Sequence, residues 1–272
     1  MNPNKRTSVF HELIKKKSPL IHNITNYVAM NSSANILLAC GASPVMAHAI
    51  EEVEEMASHA DSIVLNLGTL SEKWIKAMIL AGKTANKNNI PVILDPVGSG
   101  ATKFRTETAK KILNEVDISV LRGNISEIFS LSNENIKTRG VDSAINEISD
   151  EIIESAKEIS IKNQTVVAIS GKKDLVTNGK EILLIENGVP LMTKVTGMGC
   201  GLSAVIGAFC SVSKKDLIKA AACGFAYYGL CGELAYSVSK NPGTFSMNFI
   251  DSLHSIRKEQ IDKNSKIKPI NG

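Results

Sequence analysis

Aromatic residues are scarce: they make up 4% of the 272 residues, with a single tryptophan. A core poor in large rings must be filled with small aliphatic side chains, which lets helices and strands approach closely. Cysteines number five (Cys40, Cys200, Cys210, Cys223, Cys231), an odd count without any C-x-x-C pair, and this argues against a disulfide framework or a zinc knuckle. Long apolar runs are also missing. The longest lies between Lys219 and Glu233, well short of the roughly 20 residues that cross a bilayer. The opening MNPNKRTSVFHELIKKK has charges at Lys5, Arg6 and Glu12 and no apolar stretch of signal-peptide length. The expectation is a cytoplasmic protein with reduced thiols and no membrane partner.

The net charge of +4 is concentrated at the two ends, each carrying five Lys or Arg, and the body between them is mildly acidic. No stripe of interleaved aromatic and basic residues is present, so nucleic acid is not expected as a partner. The basic stretch 257–272 reads as a flexible, solvated tail.

Helical and strand patterns alternate along the chain. Residues 27–39, 48–58, 71–88, 103–115 and 143–162 read as helices. Residues 62–68, 91–95, 118–123 and 165–171 read as short buried strands, and NISEIFSLS as a short helix after the third of them. Such alternation implies parallel βαβ units with strands buried on both faces. DLVTNGKEILLIENG then carries Asn-Gly at 178–179 and again at 187–188, the mark of an antiparallel excursion. From Gly199 to about Ser239, and from about Thr244 to Arg257, the chain reads as helical and rich in small residues. With no internal repeat or low-complexity linker, residues 1–272 are assigned to one α/β domain with a mostly parallel central sheet, flanking helices and a short antiparallel extension.

Two motifs fail on inspection. AGKT at 81–84 has Ala77 where a P-loop needs its first glycine, and it lies inside a helix pattern. GMGCGL at 197–202 has leucine at the third glycine position of a dinucleotide fingerprint.

In open parallel sheets, ligands gather beyond the carboxyl ends of the strands. The loops after residues 67, 95, 122, 170 and 196 are therefore the informative ones. VTGMGCGLSA (195–204) combines Gly197, Gly199 and Gly201 with an apolar helix behind them. Its first-turn amides make either an anion cradle or a close-packed turn. Cys200 sits in that turn, where a helix dipole lowers a thiol pKa. Asp95 ends a strand before a Pro-Gly loop. Asn124 and Glu127 form an N-x-x-E pattern that is either a helix cap or, with Asp95, a pair of acids needing a cation such as Mg²⁺ between them and a polyphosphate. Arg122 can neutralise phosphate or make an ion pair, and Ser170 can offer a hydroxyl. These are the parts that phosphoryl transfer requires.

The ordered blocks HNITN (22–26), GASPVM (41–46), NLGTL (66–70), LDPVGSGAT (94–102), RGNISEI (122–128), ISGKKD (169–174), KVTGMGCGLSA (194–204) and PGTF (242–245) resemble the hydroxyethylthiazole kinase family, of the ribokinase-like superfamily, over essentially the whole chain. The resemblance implies a ribokinase-like layered fold. It further implies transfer of the γ-phosphoryl of ATP, with Mg²⁺, to the primary alcohol of 5-(2-hydroxyethyl)-4-methylthiazole in thiamine biosynthesis or salvage. A homotrimer with interface active sites is implied as well. Matched residue by residue, Met46 and Gly197 would contact the thiazole, with Asn23, Thr25, Gly68 and Thr69 as further pocket residues. Arg122, Ser170 and Gly199 would meet the nucleotide, Asp95 and Glu127 the metal, and Cys200 would be catalytic.

The chain departs from the family where Met198 replaces a threonine and Gly201 a larger apolar residue, changes expected to add bulk beside the cradle and to loosen its first turn. Competing readings are a ribokinase-like lyase acting on a hydrated nicotinamide, a nucleotide-binding pseudoenzyme, a Cys-His hydrolase, and a kinase for a pyrimidine or pyridoxal alcohol.

Overall fold

The computed structural model describes residues 3–132 and 148–270. Six parallel strands form its centre: β1 (Leu20–Ile24), β2 (Ser43–Val45), β3 (Ser62–Asn66), β4 (Val92–Asp95), β5 (Val120–Asn124) and β6 (Val166–Ser170), in the order β2-β1-β3-β4-β5-β6. Three antiparallel strands continue the sheet beyond β6: β7 (Asp174–Thr177), β8 (Ile182–Ile185) and β9 (Ile267–Ile270). The expected α/β class, parallel centre and antiparallel extension are all present.

Two-residue alternation sends each strand's side chains into two cores, because successive residues point to opposite faces. Val64, Ile93, Val120 and Ala168 face one core; Leu65, Leu94, Leu121 and Ile169 face the other. The first is covered by helices α1 (Pro3–Lys17), α2 (Met30–Cys40), α8 (Met198–Val212), α9 (Leu217–Val238), α10 (Pro242–Ser255) and α11 (Lys258–Asn264). The second is covered by α3 (Val53–His59), α4 (Glu72–Lys87), α5 (Lys103–Glu115), α6 (Ile125–Phe129) and α7 (Asp150–Asn163). Small residues let α8 lie close on the sheet: a Cβ on Gly207 would stand 3.0 Å from Val64 Cγ2.

Helix starts follow side-chain caps. Ser71 and Thr102 hydroxyls accept the amides of Trp74 and Arg105, each at 3.3 Å, and Asn124 with Glu127 forms a reciprocal capping box at α6.

The structure corrects several boundaries. The helix read from 27 begins at Met30, and the one read from 48 begins at Val53. Of the helix read over 143–162, residues 143–147 lie outside the described residues, and α7 starts at Asp150 behind its Ser149 cap. The stretch 199–239 is two helices, α8 and α9. Asn178-Gly179 turns the β7–β8 hairpin, with Gly179 at φ 85°. Asn187-Gly188 does not turn a hairpin. The Asn187 side chain instead donates to Glu233 Oε1 and Asn264 O and accepts from Lys266 N, so the chain leaves the sheet into a 3₁₀ helix, Pro190–Lys194. That helix stands where a strand-like approach to the cradle was expected.

The basic stretch read as a flexible tail is also ordered over residues 257–270, as α11 and β9. Ile261 and Ile267 are buried and β9 pairs along β8. Two apolar anchors and a ladder of main-chain bonds outweigh the charge pattern there.

Candidate active site

The carboxyl ends of the parallel strands deliver the site residues together. Asn66 ends β3, Asp95 ends β4 and Ser170 ends β6, while Arg122 lies within β5. Against them rests the first turn of α8. Gly197 caps that helix at φ 82°, a left-handed conformation that favours glycine, and a Cβ there would also stand 2.7 Å from Ser32 Oγ. The first intrahelical bond runs from Gly201 N to Gly197 O at 2.8 Å. The amides of Met198, Gly199 and Cys200 precede it and have no carbonyl one turn back within the helix. An open row of donors therefore faces the strand ends at the positive end of the helix dipole.

Asp95 is fully buried. Its Oδ2 accepts from Asn66 Nδ2 and from Ser203 Oγ, each at 2.7 Å, and lies 3.7 Å from the Arg122 guanidinium. Among the described residues its buried Oδ1 has no hydrogen-bond partner. Burial pushes the Asp95 pKa up to about 6, against the pull of Arg122, and the nearby negative Glu127 adds to the rise.

Arg122 is neither a surface ion pair nor an open clamp. It donates from one terminal nitrogen to Gly199 O at 3.0 Å and from the other to Ser170 Oγ at 2.7 Å, joining β5, β6 and the cradle. Its Nε is buried without a partner. Glu127 serves as the helix cap: Oε2 accepts Asn124 N and Oε1 accepts Gly98 N, both at 2.9 Å.

Cys200 is half-buried, and its sulfur accepts from Asn26 Nδ2 at 3.3 Å. Its pKa is raised, first by burial and then by Asp95. The helix dipole was expected to lower it; low-dielectric surroundings and a neighbouring acid outweigh that effect. Cys40, Cys210 and Cys223 are buried thiols pushed up to about 12, and Cys231 is buried with its pKa raised as well. They are packing residues.

The other residues that the resemblance would place in a pocket lie along the β1 and β3 ends or on the loop after β2. Asn23 is buried and donates to Ile21 O, Thr25 is buried, and Thr69 Oγ1 accepts Tyr27 N at 3.2 Å. Met46 sits half-buried on the loop after β2. His22 Nε2 holds that loop by donating to Ala47 O at 2.6 Å. Arg105, absent from the sequence reading, donates to the carbonyls of Leu67, Val97 and Gly68 and so ties together the loops after β3 and β4.

Both departures from the family pattern point into the core. Met198 is buried, and its carbonyl accepts from Tyr228 Oη at 2.9 Å, so its bulk lies beneath the cradle. The space that a side chain at Gly201 would fill is taken by Ile36 Cδ1 and Tyr228 Oη. The first turn is therefore buttressed from below.

Two residues in the site, Asn66 and Ser203, were given no role in the sequence reading, and Asn26 entered it only as the end of the HNITN block. The strand read over 62–68 ends at Asn66 in the structure, which is what sets that side chain at the site. For Ser203 the signal was a spacing of three from Cys200, which puts both on one helix face.

A cleft of about 650 Å³ opens at the opposite, amino-terminal edge of the sheet, beside Asn86, Asp117, Gln164 and Lys214, and none of these site residues borders it. Among the described residues no helix is long and apolar enough to cross a membrane.

The geometry is matched by likeness to known proteins. A model of the hydroxyethylthiazole kinase family matches residues 11–259. Hydroxyethylthiazole kinase of Desulfotalea psychrophila is 50% identical over 255 residues, covering 94% of this chain and 92% of its own. The structure of a hydroxyethylthiazole kinase protein from Pyrococcus horikoshii superposes with a TM-score of 0.89 at 38% identity, covering 98% of this chain and all of that one. A ribokinase-like superfamily protein of Enterococcus faecalis, 14% identical with a TM-score of 0.62, covers 88% of each chain and shares the fold. The cradle, the acid at the end of β4 and the thiol between them thus lie in a chain that belongs to the hydroxyethylthiazole kinase family.

Proposed function

We propose that this kinase moves the γ-phosphoryl group of ATP, with Mg²⁺, to the primary alcohol of 5-(2-hydroxyethyl)-4-methylthiazole in thiamine biosynthesis or salvage. The observation that carries this reading is the convergence of the open first-turn amides of α8 with Asp95 and Cys200 at the strand ends. Met46, Gly197, Asn23, Thr25, Gly68 and Thr69 form the thiazole pocket in this proposal, and Arg122, Ser170 and Gly199 meet the nucleotide.

The alcohol oxygen bonds to the γ-phosphorus while the bond from that phosphorus to the β–γ bridging oxygen breaks. ADP leaves with the bridging electron pair. The hydroxyl proton departs late in a loose transition state and passes to the Cys200 sulfur when that group is ionised, or to an oxygen of the transferred phosphoryl group when it is a thiol. Because burial keeps Cys200 largely a thiol, the amide cradle supplies most of the protein's contribution by holding the transferred group's charge. The Arg122 cation, already braced between Ser170 and Gly199, supports that charge electrostatically.

Asp95 and Glu127 would hold the magnesium. The unpartnered, buried Asp95 Oδ1 suits a cation, and Mg²⁺ needs few protein ligands because waters and phosphates complete its shell. Among the described residues no group of three or more His, Cys, Asp or Glu stands together. Bound there, the ion would neutralise phosphate charge.

The homotrimer that the family resemblance implies is part of this proposal, and the apolar Tyr27 and Val28, 70% and 63% exposed, support contact with a neighbouring subunit. We assign residues 1–272 to one domain and the protein to the cytoplasm on the same basis as in the sequence. The test is incubation with ATP, Mg²⁺ and the thiazole alcohol, beside hydroxymethylpyrimidine and pyridoxal, with products identified by mass spectrometry. Product from a pyrimidine or pyridine only would refute the substrate.

A further inference from the structure

Two buried asparagines join the thiol to the acid. Asn26 Nδ2 donates both to Cys200 Sγ at 3.3 Å and to Asn66 Oδ1 at 2.7 Å, and Asn66 Nδ2 donates on to Asp95 Oδ2 at 2.7 Å. Main-chain amides set the direction of this chain. Ala29 N donates to Asn26 Oδ1 and Gly68 N donates to Asn66 Oδ1, both at 3.0 Å. Each carbonyl is thereby fixed as an acceptor, so each NH₂ end must point toward the catalytic groups. Flipping the Asn66 amide would take the acceptor from Gly68 N and the donor from Asp95 Oδ2, and flipping Asn26 would take the donor from Cys200 Sγ and Asn66 Oδ1. The side chain of Asn26 also fills the place that a Cβ on residue 68 would take, so Gly68 makes room for the relay.

We propose that Asn26 is a positioning residue for phosphoryl transfer. It holds the Cys200 sulfur as a hydrogen-bond acceptor and, through Asn66, couples the sulfur's placement to that of Asp95. This rests on the reading that Cys200 stands beside the reacting hydroxyl. The sulfur cannot turn away from the cradle without vacating an Asn26 donor, and the same donor group is anchored to the partner of Asp95. Asn26 itself touches neither phosphate nor alcohol in this role; it acts through the thiol.

Asn26→Asp tests it, because the aspartate keeps the size and the acceptor for Ala29 N while removing both donors. Loss of the bonds to Cys200 and Asn66 is expected to lower kcat about tenfold, with KM for either substrate changed by less than about twofold. Alkylation of Cys200 by iodoacetamide, followed by mass spectrometry at a fixed mildly alkaline pH, should slow about fivefold, since a carboxylate beside the sulfur disfavours thiolate. In a Cys200→Ala background the same substitution should cost less than about twofold, because the group it acts through is gone. An equal loss in both backgrounds, or an unchanged alkylation rate, overturns the proposal. If Asn26→Asp fails to fold by circular dichroism, Asn26→Leu, which removes both donors without adding charge, is read by its loss of kcat in the wild-type and Cys200→Ala backgrounds. A wild-type enzyme that phosphorylates no thiazole alcohol overturns the assigned substrate, while the alkylation rate still decides the relay.

Discussion

Ser203 and Asp95, 108 positions apart in the chain, share a 2.7 Å hydrogen bond in which the serine hydroxyl donates to the buried Oδ2. One turn of α8 is thereby tied to the end of β4, so the cradle and the acid move as one body. Ser203→Ala removes this donor and leaves a buried carboxylate less compensated. We expect a loss of about 1–2 kcal/mol of stability in urea denaturation. Turnover should fall more at limiting Mg²⁺ than at saturating Mg²⁺. A variant as stable as wild type would show that the tie contributes nothing to the fold.

Cys200→Ala should keep measurable turnover, down by roughly 10- to 100-fold, because a general base contributes modestly where the proton leaves late. The check is product formation by a variant whose circular dichroism matches wild type. Complete loss in that folded variant would assign the thiol a far larger share of the chemistry.

Gly201→Ala should destabilise by about 1–3 kcal/mol despite alanine's better helix propensity, since its methyl meets Ile36 Cδ1 and Tyr228 Oη. Ile36→Val removes the first obstacle. In that background Gly201→Ala should cost less, with a residual loss from Tyr228 Oη, which a Cβ there would still meet at 2.8 Å; thermal melts of the two pairs read the difference.

His11 is buried against Tyr227, its ring centroid 4.5 Å from the tyrosine's, and its Nε2 has no partner. Burial, with Lys15 adding to it, lowers its pKa from 6.5 to about 3. The unfolded chain binds this proton first as pH drops. Stability is therefore full above about pH 6.5 and is lost toward pH 3, by up to ~1.4 kcal/mol per pH unit. Urea denaturation across that range should show a shallower slope in His11→Gln. Identical slopes would assign the acid sensitivity to other groups.

Much of the site was legible because its chemistry is local. A glycine-rich turn opening an apolar helix, and an acid ending a buried strand before a Pro-Gly loop, announce themselves within ten residues at 195–204 and 94–102. The relay was not legible: Cys200 stood out in the glycine-rich turn, but its link through Asn26 and Asn66 to Asp95 depends on the loop after β1, the ends of β3 and β4 and the first turn of α8 meeting at one level. The edge elements β2 and β9 were missed for a related reason, since an edge strand this short gains its pairing from a neighbour and leaves little periodicity of its own.

By itself, then, the sequence determined the alternation of helix and strand, the reach of each hydrophobic face and the positions where phosphate chemistry could gather, because these follow from spacing along one chain. Only the tertiary structure decided the charge state and orientation of the groups at the centre. Burial and Asp95 raised the thiol that the helix dipole would have lowered, Arg122 became a strut between Ser170 and Gly199, and Met198 turned into the core. Dielectric environment and hydrogen-bond partners depend on what distant segments bring to the same few ångströms.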